Sequence, residues 1–450
     1  MSPATDHSPL HAAFLKKVNV YLFIILFLMV AGFFTWSENV TITRAIKVVG
    51  RMGVMISSYG IYRMILRYGA VDALRGKNLL SPLLYMAYLV LGFLSFMWST
   101  NPGFSALQWF MTLQSLVFGF YFVKSLMLLD EFFPGHAIRL YNLLGNAVFI
   151  LISIFVVGMY ADPDTFFRLT HGGEEARLGG YIMNPNELGM LAGVGVACLI
   201  FDIYRNHHRL WTITKLIVIF YALYMTGSRS SLIGALLIIL FHIKQSQNKR
   251  LKTLIIAGIL VVAPLAVYKV ILKDGDSSRL EEVMSMTGRL PFWTALIQEG
   301  LPREPLLGFG FMRIDYKEYF QSTHTYPGKM THNTFMQVLM NLGFVGLTII
   351  IFQVMFTLRG FMGEANEKKL MLIGILIPVL INSFTEFGIF GESNYGIMFY
   401  QLLIFSISFR SGGELTSRQK LHLQVAAKRQ RTRTPGQAFP RGGKSVQHMC

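Results

Sequence analysis

Apolar runs long enough to cross a bilayer recur along almost the whole chain. A hydrocarbon core about 30 Å thick takes roughly 20 helical residues. Runs of that order lie near 18–36, 46–66, 79–98, 104–124, 140–160 and 187–204, then near 211–226, 230–243, 253–272, 333–357, 370–388 and 394–410. They predict an all-α integral membrane protein of about 12 transmembrane helices, because an isolated span must satisfy its own backbone hydrogen bonds in lipid. Lys47 and Arg51 interrupt the second run, and the seventh and eighth are short. A polar stretch separates the last three runs from the rest, and it predicts four regions: helices over 1–272, a large loop over 273–331, helices over 332–410 and a basic tail over 411–450. Within the loop, Phe292, Leu296 and Ile297 can share one face of a short amphipathic helix that ends at Pro305, as a helix lying at a membrane surface would.

Charge sets an orientation. Positive loops are retained on the cytoplasmic side. With both termini inside, most of the 41 basic residues fall on inside segments, while outside loops such as Ser99 to Gly103 and Phe387 to Asn394 carry none. The net charge of +17 is then topology plus a solvated tail around Lys428-Arg429-Gln430-Arg431, which membrane lipid head groups would attract. Nucleic acid is not an expected partner. The first run reads as an uncleaved span, since no small-residue cleavage site follows Trp36. The two cysteines, Cys198 and Cys450, offer neither a disulfide framework nor a thiolate metal site.

Four polar clusters, far apart in sequence, fall on the outside face of this topology. Arg177-Leu178-Gly179-Gly180 leads into Asn184-Pro185-Asn186 at the start of the sixth span; the glycines allow close backbone approach, and helix capping accounts for Asn186 as well as ligand binding does. Thr226-Gly227-Ser228-Arg229-Ser230-Ser231 joins the seventh and eighth spans. Backbone N–H groups, hydroxyls and a guanidinium at a helix start make a seat for phosphate, against the alternative of a snorkelling arginine beside a serine cap. In the large loop stand Gly288-Arg289, Trp293 and Pro305-x-x-Gly308-x-Gly310. The loop's acids and bases balance, so single arginines, not bulk charge, would do any binding there. Thr331-His332-Asn333 opens the tenth span, and an imidazole is the side chain best suited to take a proton near neutral pH. His171 and His324 lie on the same side and compete for that role. Glu386, near the outer end of the eleventh span, is either a partner orienting an imidazole or a structural intramembrane acid.

Taken in order, Arg177-x-x-Gly180-x-x-x-Asn184-Pro185-Asn186, Gly227-Ser228-Arg229-Ser230, Gly288-Arg289-x-x-x-Trp293, Pro305-x-x-Gly308-x-Gly310 and His332-Asn333 resemble the O-antigen ligase and polymerase superfamily, with the ligases of lipopolysaccharide assembly (WaaL type) nearest and the Wzy-type polymerases next. The resemblance implies a GT-C-like membrane glycosyltransferase of the bacterial inner membrane with its active site facing the periplasm. It implies transfer of a glycan from an undecaprenyl-pyrophosphate donor to a sugar hydroxyl of lipid A-core, without cofactor or metal. Arg229 and Arg289 would match the family's pyrophosphate-binding arginines and His332 its catalytic histidine. Arg177, Asn184, Asn186, Ser228, Asn333, Trp293 and Glu386 would complete a substrate-binding surface. Asp162-Pro163-Asp164 has the spacing of a metal-binding acid pair, but it reads as an ordinary turn. A lipid-linked-sugar flippase also has about twelve spans; transporters, however, place ionisable groups near the bilayer midplane and show internal repeats, and neither is evident in this sequence.

Overall fold

Helices form where the apolar runs predict them. The computed structural model describes residues 9–68, 74–132, 136–170, 175–205, 209–245, 289–311, 331–386 and 388–410. In chain order the helices are α1 (Pro9–Ala31), α2 (Val40–Ala45), α3 (Arg51–Tyr68), α4 (Leu80–Leu94), α5 (Pro102–Phe132), α6 (Leu140–Ala161) and α7 (Pro163–Phe166). They continue with α8 (Pro185–Arg205), α9 (Arg209–Met225), α10 (Arg229–Gln245), α11 (Arg289–Ala295), α12 (Thr334–Met362), α13 (Asn366–Ser383) and α14 (Tyr395–Ser408). Two small antiparallel pairings accompany them, β1 (Arg75–Gly76) with β4 (Phe409–Arg410) and β2 (Phe167–Thr170) with β3 (Glu175–Leu178).

The protein is therefore an all-α membrane protein with two minor antiparallel pairings. Among the described residues, six stretches, on α1, α4, α5, α6, α8 and α12, are long and apolar enough to cross a membrane. That is fewer than the sequence pattern predicts, for identifiable reasons. α10 is only 17 residues long, α3 carries Arg51, Arg63 and Arg67, and α13 opens on Glu367-Lys368-Lys369. The run at 253–272 lies outside the described residues, as does most of the large loop apart from 289–311. One boundary has consequences for the site: α13 stops at Ser383, so Glu386 lies in the turn beyond it.

α8 is the central post, packed against α6, α9, α10 and α13. Small residues permit this, since helices in lipid gain from close packing and not from hydrophobic expulsion. A Cβ added at Gly189 would stand 2.6 Å from Ser231 Oγ, so the start of α10 lies directly on the first turns of α8.

α12 is broken at Gly343, whose φ is +62°, and the loop residues before it repair the break. In an unbroken helix Phe344 and Val345 would donate to Met340 and Asn341. Instead, Phe344 N and Val345 N donate to the carbonyls of Pro305 (2.8 Å) and Leu306 (3.2 Å), while Met340 O and Asn341 O accept from Phe309 N (2.9 Å) and Gly310 N (2.8 Å). Every freed backbone group is re-satisfied, as a lipid-embedded break requires. Gly308, at φ +64°, and Gly343 face each other's segments with no room for side chains: a Cβ at Gly308 would be 2.5 Å from Asn341 C, and one at Gly343 would be 2.2 Å from Leu306 C. The Pro305-to-Gly310 motif thus acts as a backbone patch for a kinked helix.

Gly343→Ala is expected to lower the melting temperature in detergent by on the order of 5 °C or more, since it adds both a clash and a left-handed backbone penalty. Gly53→Ala, with nothing within 4 Å of its added Cβ, should leave it unchanged or slightly raised; a thermal melt of the two variants checks this.

Candidate active site

A turn past the end of α13 carries the residue on which three of the four clusters converge. Phe384, Thr385 and Glu386 fold back on the helix, Thr385 N and Glu386 N both donating to Asn382 O at 3.1 and 2.7 Å. Glu386 is buried, with 2% of its side chain exposed. A buried carboxylate needs partners on both oxygens. Oε1 accepts from Arg289 Nη2 at 2.6 Å and from Asn186 Nδ2 at 2.7 Å, and Oε2 pairs with His332 Nδ1 at 2.6 Å. Burial pushes the Glu386 carboxyl up, but the charge and hydrogen bond of His332, then the charge of Arg289 and the Asn186 amide, outweigh it and hold it below the usual carboxylate range.

Each partner arrives from a different element, and each is itself held. Asn186 lies in the first turn of α8, where Asn184 Oδ1 accepts from Asn186 N at 2.9 Å and Pro185 sits at the start of the helix, a sequence suited to a helix N-terminus. Arg177, at the end of β3, donates from Nη2 to Asn186 Oδ1 at 2.6 Å and from Nε to Thr226 O at 2.7 Å, joining the first cluster to the second. Ser228 is buried, its hydroxyl 2.9 Å from Ser231 Oγ. Ser230 and Ser231 in turn donate to Asn382 Oδ1, both at 3.3 Å, so the start of α10 is tied to the end of α13. Arg289 opens α11 and grips the turn with both arms of its guanidinium: Nη1 donates to Thr385 O and Nη2 to Glu386.

His332 stands between two fixed points. Before it, Thr331 O accepts from Trp293 Nε1 at 2.7 Å. After it, Asn333 caps α12, its Oδ1 accepting from Phe335 N (2.9 Å) and Met336 N (3.0 Å) while its Nδ2 donates to Phe384 O at 3.2 Å. His332 itself has φ +49°, a left-handed conformation that costs a non-glycine residue on the order of 1 kcal/mol or more. Its surroundings over-determine the strain, and it aims the ring at Glu386. With a carboxylate at Nδ1, the neutral ring is the Nδ1–H tautomer, and its basic nitrogen is Nε2.

Arg229 differs from the rest. It is the exposed first residue of α10, and among the described residues it makes no hydrogen bond or ion pair. It stands at a helix N-terminus beside Ser228 and Ser230, where N–H groups and helix dipole favour an anion.

The structure thus brings Arg177, Asn186, Glu386, Arg289 and His332 into one hydrogen-bonded network, sets Asn184, Ser228, Trp293 and Asn333 around it as caps and braces, and leaves Arg229 open at its edge. His171 and His324 lie outside the described residues. Two features escape the sequence reading. Asn382, one helical turn before Glu386, links α10 to α13, and its signal was a polar residue near the end of an apolar run. The Thr385 carbonyl, a backbone group, leaves no signal at all. Asp162-Pro163-Asp164 is a helix-starting turn, with Pro163 opening α7. Among the described residues no group of three or more His, Cys, Asp or Glu side chains could hold a metal ion.

Arg289→Ala should be destabilising, because it strips a buried carboxylate of its ion-pair partner at a cost of about 3 kcal/mol or more. Arg229→Ala should leave the melting temperature within error. The same detergent melt reads both variants, and equal destabilisation would contradict the assigned geometry.

Compared with known families, residues 214–351 match the model of the O-antigen ligase family. The matched stretch contains Ser228, Arg229, Arg289, Trp293, His332 and Asn333, whereas Arg177, Asn184, Asn186 and Glu386 lie outside it. No curated protein matches the chain.

Proposed function

We propose that this protein is an O-antigen ligase that transfers a glycan from undecaprenyl pyrophosphate to a sugar hydroxyl of lipid A-core, at the periplasmic face of the bacterial inner membrane. The match of residues 214–351 to the O-antigen ligase family model supports the reaction class. The observation that carries the mechanism is the 2.6 Å pairing of His332 Nδ1 with a carboxylate that Arg289 and Asn186 also hold.

Glycosyl transfer from a pyrophosphate has two needs: a base for the acceptor hydroxyl and stabilisation of the departing diphosphate. His332 supplies the first. Glu386 holds Nδ1–H, so Nε2 takes the acceptor proton as its oxygen attacks the anomeric carbon. The bond from that carbon to the phosphate oxygen breaks with its electron pair, undecaprenyl pyrophosphate leaves, and the glycan is inverted at the new bond. Glu386 stabilises the imidazolium formed in this step.

The arginines supply the second need. Arg229, exposed beside the first N–H groups of α10, is the primary seat for the diphosphate. Arg289 adds positive charge while anchoring the Glu386 turn. Charge-assisted hydrogen bonds to an anion are worth about 1.5–3 kcal/mol each, so the loss of Arg229 is expected to slow transfer by roughly one to two powers of ten. The proposed chemistry uses no metal. Both substrates carry lipid tails, so each reaches the site laterally from the outer leaflet.

The test is transfer by purified protein in nanodiscs with EDTA present, undecaprenyl-pyrophosphate glycan as donor and lipid A-core as acceptor. Wild type is expected to form product and His332→Ala none. Chain growth with donor alone, and no product on lipid A-core, would reassign the protein as a polymerase; full activity in His332→Ala would remove the base.

A further inference from the structure

An open cavity lies at the opposite end of the bundle from Asn186. α9 begins where α8 ends, so Lys215, near the start of α9, is remote from the first turn of α8. The cavity, of about 720 Å³, is formed by α1, α6 and α9. Its lining follows a helical stripe on each wall: Lys16, Asn19 and Phe23 on α1, and Arg139, Asn142, Asn146 and Ile150 running into and along α6. These spacings of three, four and seven residues put the members of each set on one face.

The stripes are graded along the helix axis. At 1.5 Å per residue, Phe23 stands about 10 Å deeper than Lys16, and Ile150 about 16 Å deeper than Arg139. Cations come first, amides next and hydrocarbon last. Lys215 joins from α9, its Nζ donating to Asn146 Oδ1 at 2.6 Å and lying 5.6 and 5.3 Å from the ring centres of Phe149 and Trp211. No acid lines the cavity among the described residues. Asp202, which accepts from Thr212 at 2.7 Å, is close enough to act on Lys215, so Lys16 and Arg139 are the less compensated cations.

Topology explains basic residues at helix ends on the inside face. It does not explain a lysine set within an apolar helix, nor asparagines stacked beneath an arginine. We infer that this cavity holds one anionic phospholipid of the cytoplasmic leaflet, with its phosphate between Lys16 and Arg139, its headgroup hydroxyls or ester oxygens on Asn142 and Asn146, and an acyl chain along Phe23 and Ile150. The gradient from cation to amide to hydrocarbon matches such a molecule from head to tail, whereas free phosphate would leave the apolar half unused. The inference does not depend on the proposed transfer reaction.

The test is native mass spectrometry of the full chain released from detergent, titrated with phosphatidylglycerol or with phosphatidylcholine of identical acyl chains. The first bound lipid should favour phosphatidylglycerol by about tenfold or more, given the attraction per basic residue. Lys16→Gln/Arg139→Gln, both exposed positions, should erase that preference with an unchanged thermal melt, while Arg429→Gln/Arg431→Gln in the tail should keep it. Equal binding of the two lipids by wild type would overturn the inference. So would a preference lost in the tail variant and kept in the cavity variant, or phosphatidylglycerol displaced by millimolar inorganic phosphate.

Discussion

A carboxylate in the wall of a membrane protein persists only if other groups replace the water it has lost, and Glu386 organises one end of this bundle by making that demand. Its two oxygens are met by Arg289, Asn186 and His332 at 2.6, 2.7 and 2.6 Å, groups supplied by α11, α8 and the entry to α12. Each closes a contact over a long sequence separation, and together they draw four polar segments to one point. Taking away one partner of a buried charge costs more than the pair contributes net, so the cluster is better understood as an arrangement that penalises every alternative than as a source of stability. The same carboxylate that assembles the cluster also selects the tautomer of His332, so the local fold and the ring's protonation pattern rest on one group.

A second demand is made by the backbone. His332 needs a rigid helix start behind it, yet α12 is interrupted at Gly343. The break is tolerable because the Pro305-to-Gly310 segment donates and accepts at the four backbone groups that the kink sets free. Trp293, in the helix that Arg289 opens, then fastens Thr331. The described part of the loop and the start of α12 are consequently a single hydrogen-bonded body, which is how a loop in an otherwise helical wall can hold Arg289 and His332 in fixed positions.

Much of this was legible in the sequence, and the part that was not has a physical cause. Helix positions follow from apolar runs, and the one-sidedness of the polar clusters follows from the distribution of Lys and Arg. Arg229 stood out as an arginine at a helix start, Arg289 as an individual arginine in a charge-balanced loop, His332 as an imidazole at the start of a span and Glu386 as an acid near the end of one. Pairing was not legible: whether Arg289 faces a substrate or Glu386, and whether Asn184 and Asn333 bind a ligand or cap a helix, depends on contacts between segments up to 200 residues apart. The Gly308 and Gly310 turn was readable as a turn, yet not as the partner of Gly343, because backbone exchange between two segments leaves only a pair of glycines as its trace. Charges at the start of α13 and within α3 interrupt the apolar pattern of two of the predicted spans.

The central claim is that Glu386 and His332 act as one unit, and a double-mutant cycle on kcat tests it most directly, with Glu386→Gln, His332→Ala and the two combined. If the carboxylate works through the imidazole, the double variant should be no slower than His332→Ala alone, the two losses being strongly non-additive. Losses that multiply independently would mean that Glu386 and His332 serve separate roles, and would contradict the account.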